Sequence, residues 1–419
     1  MRLGTEQRAW TLIYACLAVV EGGTAAVMVR SLYGGRIGGL AVDLVLAMVS
    51  AAPAWASLAS LAYARAAQGR PKIGFLQPLL LAMTVCVAGL ALLPGGGWGL
   101  LLFFALYGAA RLLWTGVETV RSVLWSANYP RHLRARITGR IMVGGYLALA
   151  GVGLLLGWLL EQPGPGYRVL IVVAALCGVA GAVAFRGLRV RNERSLLEAE
   201  ARRHRDGARF DLAGVRDLLR RDADYRRYMV AMTMFGAGNL MFTPLVVVCL
   251  DDVLRVSSLW QVAVTTAVPI LAIPFAIQPW ARFLDGHHVV VFRSVHGWVT
   301  LAAMALLSLA VWLDLRALLL PGAVLHGVSL AGGSLGWSLG HNDFAPRGEE
   351  TRYMALHVTL TGLRGLVFPA VGIGAYYALG ALVAGSSPLA LLLPIGATAA
   401  GALSFRAMRR EQAGLRRRT

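Results

Sequence analysis

Residues 64–75 read Ala64-Arg65-Ala66-Ala67-Gln68-Gly69-Arg70-Pro71-Lys72-Ile73-Gly74-Phe75. Residues 281–292 read Ala281-Arg282-Phe283-Leu284-Asp285-Gly286-His287-His288-Val289-Val290-Val291-Phe292. The two align without a gap: Ala-Arg opens each, a glycine preceded by an amide or an acid follows at the same offset, and Phe closes it. A second match has almost the same spacing, with Pro130-Arg131 and Arg136 against Pro346-Arg347 and Arg352. Pro53 likewise matches Pro269, and Gly22 matches Gly238. Together these matches indicate a duplicated chain, and a duplication decides architecture.

Both stretches separate long apolar blocks. The 419-residue chain is 57% hydrophobic and 15% charged, against about 25% charged in soluble domains. Twelve apolar segments are long enough to cross a bilayer core of about 30 Å. They run at 9–30, 38–62, 74–94, 98–122, 138–160, 166–186, 226–249, 258–283, 289–312, 316–342, 352–379 and 387–406. Backbone in lipid must satisfy its own polar groups, so these spans are predicted to be helices. The N-terminal one lacks a cleavage site and reads as a retained first span. The fold class is therefore an all-α membrane protein, with twelve helices in two six-helix bundles. The bundles occupy 1–186 and 226–419, the second with a basic tail. A charged linker, 187–225, joins them. Within the linker, Leu212, Val215, Leu218 and Leu219 recur at helical spacing, as in a short amphipathic helix on a membrane face; a solvated basic linker is the alternative.

The net charge of +19 does not indicate nucleic acid, because it lies between apolar blocks and at the C-terminus. Alternate loops hold Arg65, Arg70 and Lys72, then Arg131, Arg134, Arg136 and Arg140, then Arg282 and Arg293, then Arg347 and Arg352. The other loops are nearly bare or mix acids with single arginines. The first set is expected on the cytoplasmic side of an inner membrane. The even number of spans puts both termini there, with the tail Arg409–Arg410 and Arg416–Arg418. Cys16, Cys86, Cys177 and Cys249 lie inside apolar blocks without metal-ligand or paired spacing and read as packing residues. The sequence contains neither a phosphate-cradling Gly-x-x-x-x-Gly-Lys loop nor a His-Glu-x-x-His motif, so an ATP-driven pump and an enzyme are not expected.

Ionisable groups inside spans are costly and are functional candidates. Glu21 lies near the middle of the first span, Asp43 in the second, Arg111 and Glu118 in the fourth, and Arg364 in the eleventh. Tyr107, Arg111, Trp114, Thr115 and Glu118 fall on one helical face. His326, Ser329, Gly333 and Trp337 share a face of the tenth span, and His357, Thr361 and Arg364 a face of the eleventh. Asn239 and Thr243 are the polar residues of the seventh. Each of these sets also suits plain packing or a structural charge network.

Twelve spans split six and six, with basic loops after spans 2 and 8, resemble the major facilitator superfamily over the whole length. Gly69, Arg70 and Lys72 fit the glycine and basic end of that superfamily's signature loop, and Asp285 and Gly286 fit the acid and glycine in the second half. Gln68 stands where the first-half acid belongs. The resemblance implies a secondary transporter in which spans 1, 4, 7 and 10 line a central cavity, with these loops as gates. Expected cavity residues are Tyr107, Arg111, Trp114, Thr115, Asn239, His326, Trp337 and Arg364. Glu21 and Glu118 are the expected proton carriers, with Arg111 or Arg364 neutralising a carboxylate or binding an anionic group of the solute. The expected cargo is a small organic solute with an anionic group, moved by a monomer in contact with lipid and without nucleic acid. No cofactor is expected. The coupling ion is a proton; sodium, held by Glu21, Asp43 and backbone carbonyls, is the alternative. An exporter of amphipathic compounds is a second reading, weakened by a fifth span with Gly144, Gly145, Gly151 and Gly153 but no Gly-Pro pair. A transporter-like assembly factor or sensor is a third.

Overall fold

The structure is a computed structural model that describes residues 3–205, 218–346 and 349–416. Leu212, Val215, Arg347, Arg417 and Arg418 lie outside the described residues, as do the side chains of Arg131, Arg134, Arg136 and Arg416. Helices are the regular structure throughout the described residues, with no strand. The helices are α1 (Leu3–Leu17), α2 (Gly22–Tyr33), α3 (Gly39–Ser50), α4 (Ala52–Ala56), α5 (Ser60–Ala67), α6 (Lys72–Leu90), α7 (Gly97–Asn128), α8 (Arg131–Glu161) and α9 (Gly166–Ala184). After the linker helix α10 (Glu193–Arg205) come α11 (Ala223–Asp252), α12 (Ser258–Val262), α13 (Val268–Asp285), α14 (Val289–Trp312), α15 (Leu319–Leu339), α16 (Glu350–Leu382) and α17 (Leu392–Arg416).

Ten of these helical stretches are long and apolar enough to cross a membrane, and up to twelve if each of two bent pairs is one span. The bent pairs explain why the first two spans are not single helices. Span 2 bends by 54° between Gly39–Ser50 and Ala52–Ala67. Pro53 has no N–H for the carbonyl four residues back. That carbonyl, Val49 O, accepts instead from the Tyr107 hydroxyl at 2.8 Å, and Met48 O accepts from Trp55 Nε1 at 2.8 Å. Span 1 bends by 41° between Gly4–Val20 and Gly22–Tyr33 without a proline. There the helix tightens to a 3₁₀ turn at Ala18–Val20, and Glu21 is extended at φ −75°, ψ 136°. In span 8, Pro269 follows a π-helical turn at Ala263–Ala267, another way of absorbing a missing backbone donor.

The chain forms two compact units: Met1–Arg209 with Ser258–Val262, and Phe210–Ser257 with Ala263–Thr419. In the first, α1 packs on α8 and α9, and α6 packs on α7 and α9. In the second, α11 packs on α16 and α17, and α14 packs on α15 and α17. Numbered by span, the first set is 1–5, 1–6, 3–4 and 3–6, and the second is 7–11, 7–12, 9–10 and 9–12. The same pairs recur six spans on, as duplication requires.

Close backbone approach carries this packing, because lipid supplies no hydrophobic drive between helices. A Cβ on Gly178 would lie 2.3 Å from Thr84 Cγ2, and one on Gly238 would lie 2.5 Å from Pro394 O. Large apolar side chains such as Phe275, Leu92 and Trp98 point outward at 84%, 82% and 78% exposure, which suits lipid rather than water. In the linker, α10 was not foreseen. Leu218 and Leu219 pack on the buried Tyr225, Tyr228 and Leu356 of the second unit.

Candidate functional site

The first unit sets several of its buried charges in acid–base pairs. The break at Glu21 strands the Val20 carbonyl, and Arg111 Nη1 reaches both Val20 O and Glu21 Oε2 at 3.4 Å. Arg111 is 5% exposed and Glu21 26%, so the guanidinium is the more deeply buried of the two. Thr115 Oγ1 donates to Arg111 O at 3.1 Å, and Tyr107 is engaged with span 2 as described above.

Glu118 does not reach Arg111. It pairs with Arg121 Nη2 at 3.4 Å and is 48% exposed on its side chain. Arg121 extends the predicted stripe. Its Nη1 donates to Tyr14 OH at 2.7 Å, and its guanidinium carbon lies 5.5, 5.7 and 4.9 Å from the ring centres of Trp10, Trp114 and Trp125. Trp114 meets Tyr14 edge to face at 5.5 Å. Beneath this box Glu6, fully buried, accepts from Trp10 Nε1 at 3.4 Å, Trp125 Nε1 at 3.0 Å and the Tyr129 hydroxyl. Burial, with the Glu6 carboxylate beside it, pushes the Tyr129 hydroxyl well above the usual phenol range. Asp43, fully buried, pairs with Arg30 at 2.5 Å.

The first signature-like loop is clamped by the linker helix. Gly69, at φ +66°, donates its N–H to Glu200 Oε2 at 2.9 Å, and Lys72 N donates to Glu193 Oε1 at 2.8 Å. Lys72 Nζ, 1% exposed, donates to Ala67 O and Glu200 Oε2, each at 2.7 Å. An acid from α10 thus serves the loop whose own position 68 is an amide. Arg70 is exposed. The second loop differs: Asp285 and Gly286 are exposed, and Gly286 sits at φ −91°. The glycine match therefore does not extend to conformation.

The second unit holds buried arginine without a carboxylate partner among the described residues. Arg364, 4% exposed, donates to Leu360 O at 3.1 Å, Thr361 Oγ1 at 2.6 Å and the Met232 carbonyl. Trp337 Nε1 donates to the same Thr361 hydroxyl at 3.3 Å, and its ring meets His357 edge to face. Arg293 corrects the sequence reading that counted it with the loop charges. It lies one turn inside α14, 2% exposed, because the helix begins at Val289 and turns that position inward. His296 Nε2 lies 2.8 Å from Ser329 O, and Thr300 and Ser329 share a hydroxyl contact of 2.6 Å. Asn239 donates only to Phe235 O of its own helix at 3.2 Å. His326 is packed 6.4 Å from the Phe242 ring with Nδ1 unpartnered. No hydrogen bond joins either residue to Arg364.

Arg121, Arg293 and Glu6 were missed for one reason: each sits within a few residues of a segment boundary, where a charge reads as a polar flank. For Arg121 a signal existed. Positions 107, 111, 114, 118, 121 and 125 step by four and three along one face.

The chain is a multi-pass, all-helical membrane protein. No protein-family model matches it, and no curated protein sequence does. Solved structures do. A variant of the nucleoside transporter NupG is 10% identical with a TM-score of 0.72, covering 97% of this chain and 100% of that one. A D-xylose–proton symporter is 12% identical with a TM-score of 0.72, covering 96% of each. A peptide transporter of the POT type, in complex with sulfate, is 16% identical with a TM-score of 0.66, covering 97% of this chain and 94% of that one. At such identities the likeness is one of fold, shared over nearly the whole chain with these membrane transporters.

Proposed function

We propose that the chain is a proton-coupled secondary transporter that moves a small organic solute with an anionic group across the inner membrane by alternating access. The observation that carries this reading is the Glu21–Arg111 pair at the break of the first span. A carboxylate and a buried guanidinium at interrupted backbone inside a span are expensive to keep unless they are used. Glu21 takes up and releases the proton. Arg111 holds its charged form and is freed for the solute when the proton binds. Glu118 with Arg121 is the second exchangeable pair, and the loops around Gly69–Lys72 and Asp285–Gly286 gate the movement. A proton suits this arrangement better than sodium, since Asp43 and Glu21 each already face an arginine. The neighbours' described cargoes, a nucleoside transporter's and a xylose–proton symporter's among them, are small and organic. Both termini are placed on the cytoplasmic side by the loop charges, and the working unit is a monomer.

The test is solute uptake into proteoliposomes under an imposed pH gradient. Glu21→Gln should retain exchange of solute across the membrane while losing pH-driven accumulation. Full accumulation in both Glu21→Gln and Glu118→Gln would refute the coupling role.

A further inference from the structure

In the second unit two guanidiniums flank one turn of α11. Arg364 donates to Met232 O, and Arg293 lies 5.9 Å from the ring centre of Phe235. Glycine makes room for both: a Cβ on Gly236 would lie 2.6 Å from Arg364 Nη1, and one on Gly336 would lie 2.7 Å from Arg293 Cζ. The two charges are within electrostatic range of each other and of the Tyr228 hydroxyl. His357, fully buried, lies with its ring 5.8 Å from that of Trp337, whose Nε1 shares the Thr361 hydroxyl with Arg364.

Like charges buried together are unfavourable, and no carboxylate among the described residues pairs with either arginine. Asp343 is spent on the N-terminus of α14, accepting from Val289 N at 2.6 Å. Arg293 itself is poorly served. It reaches Gly333 O at 3.4 Å and His296 Nδ1 at 3.5 Å, both at the long end. Its Nε has no partner, and neither do the two ring nitrogens of His357. Two positive charges and a set of unpartnered polar atoms converge beside one turn of α11. Guanidinium forks match the geometry of carboxylate and phosphate oxygens.

We propose that Arg293, Arg364, His357 and Tyr228 form a binding site for a small anionic group, carboxylate or phosphate, inside the second unit. The proposal deepens the transporter reading and rests on it in one respect: it makes this the seat of the cargo's anionic group. The same chemistry could hold a free inorganic anion, and the experiment separates the two sources.

The purified full-length chain is titrated with sodium phosphate, sodium chloride, acetate and succinate at constant ionic strength, and thermal stability is followed. A ligand of the folded state raises Tm saturably by mass action. The expected result is a saturable rise with at least one of these salts, weakened tenfold or more in Arg293→Gln. The anion-free Tm of that variant should equal or exceed the parent's, because no ion pair is lost. Arg293→Lys, which keeps the charge without the fork, should respond at intermediate strength. Responses to carboxylates with larger organic parts assign the site to cargo, and responses confined to phosphate and chloride assign it to a free ion. The absence of any saturable response in the parent chain overturns the site, as does an unchanged response in Arg293→Gln. Anion stabilisation lost in Arg293→Gln without any pH-driven uptake would leave the site standing and remove the transporter reading. Uptake indifferent to anions and unaltered in Arg293→Gln would do the reverse.

Discussion

Replacing Glu200 by alanine removes the only carboxylate that reaches a buried ammonium among the described residues. Lys72 Nζ is 1% exposed and has two partners, Glu200 and Ala67 O. Removing one member of a buried ion pair costs about 3–5 kcal/mol when the other charge is left buried. Here Glu200 is 17% exposed, so water enters on its side and the expected loss falls to about 2 kcal/mol, including the orphaned Gly69 N–H. For a unit of about 200 residues that corresponds to a Tm lower by about 5 °C. Lys72→Met should cost less, about 1 kcal/mol, because Glu200 keeps solvent and Gly69 N. The double variant should resemble Lys72→Met, leaving a coupling of about 1–2 kcal/mol in a double-mutant cycle. Thermal unfolding of the four purified proteins, followed by tryptophan fluorescence at one scan rate, measures it. Additive losses, with coupling below about 0.4 kcal/mol, would show that α10 rests near the loop without holding it.

Other perturbations have equally definite outcomes. Tyr107→Phe orphans the Val49 carbonyl at the bend of span 2 and should cost about 1–2 kcal/mol, seen as a lower Tm; no loss would mean that water already serves that carbonyl. Gly238→Ala forces a Cβ to 2.5 Å from Pro394 O and should destabilise by about 1–3 kcal/mol. Gly396→Ala, in the same unit with open space around the new atom, should stay within about 0.5 kcal/mol, and equal losses at the two sites would count against tight packing of α11 on α17. Tyr129→Phe removes a donor from the buried Glu6 carboxylate and should lower stability by about 1.5–3 kcal/mol. Unchanged melting would mean that Trp10 and Trp125 alone satisfy it.

The fold was legible because membrane helices advertise themselves by length and apolarity, and because the loop repeat at 64–75 and 281–292 survived in both halves. The bends were half legible. Pro53 marks the bend of span 2 and Pro269 the π-helical turn of span 8; beside Glu21 the pair Gly22-Gly23 permits a break, but the contact that holds it comes from Arg111, 90 residues away. The stripe on the fourth span could be read from its spacing, but its partners could not. Periodicity says which residues share a face and is silent on whether Glu118 meets Arg111 or Arg121. Segment boundaries hid Glu6, Arg121 and Arg293, because a charge near the end of an apolar run looks solvated until the helix is seen to continue past it, as α7 does to Asn128.

Duplication accounts for the packing and not for the charges inside the spans, and this separates scaffold from site. At the spacing that takes Pro53 to Pro269, Glu21 corresponds to Ala237, Arg111 to Gly327 and Glu118 to Ser334. The glycine next to Glu21, in contrast, has its counterpart: Gly22 lies against Ser50 O and Gly238 against Pro394 O, each without room for a side chain. Residues that let helices touch were kept in both halves because both halves must pack. The charges buried inside the spans were settled separately: among the described residues, Glu21 faces Arg111 and Asp43 faces Arg30 in the first unit, while Arg293 and Arg364 have no carboxylate partner in the second. The loop arginines, in contrast, recur in both halves, Arg65 with Arg282 and Arg136 with Arg352, so the duplication was kept where charge flanks a span and lost where charge lies inside one.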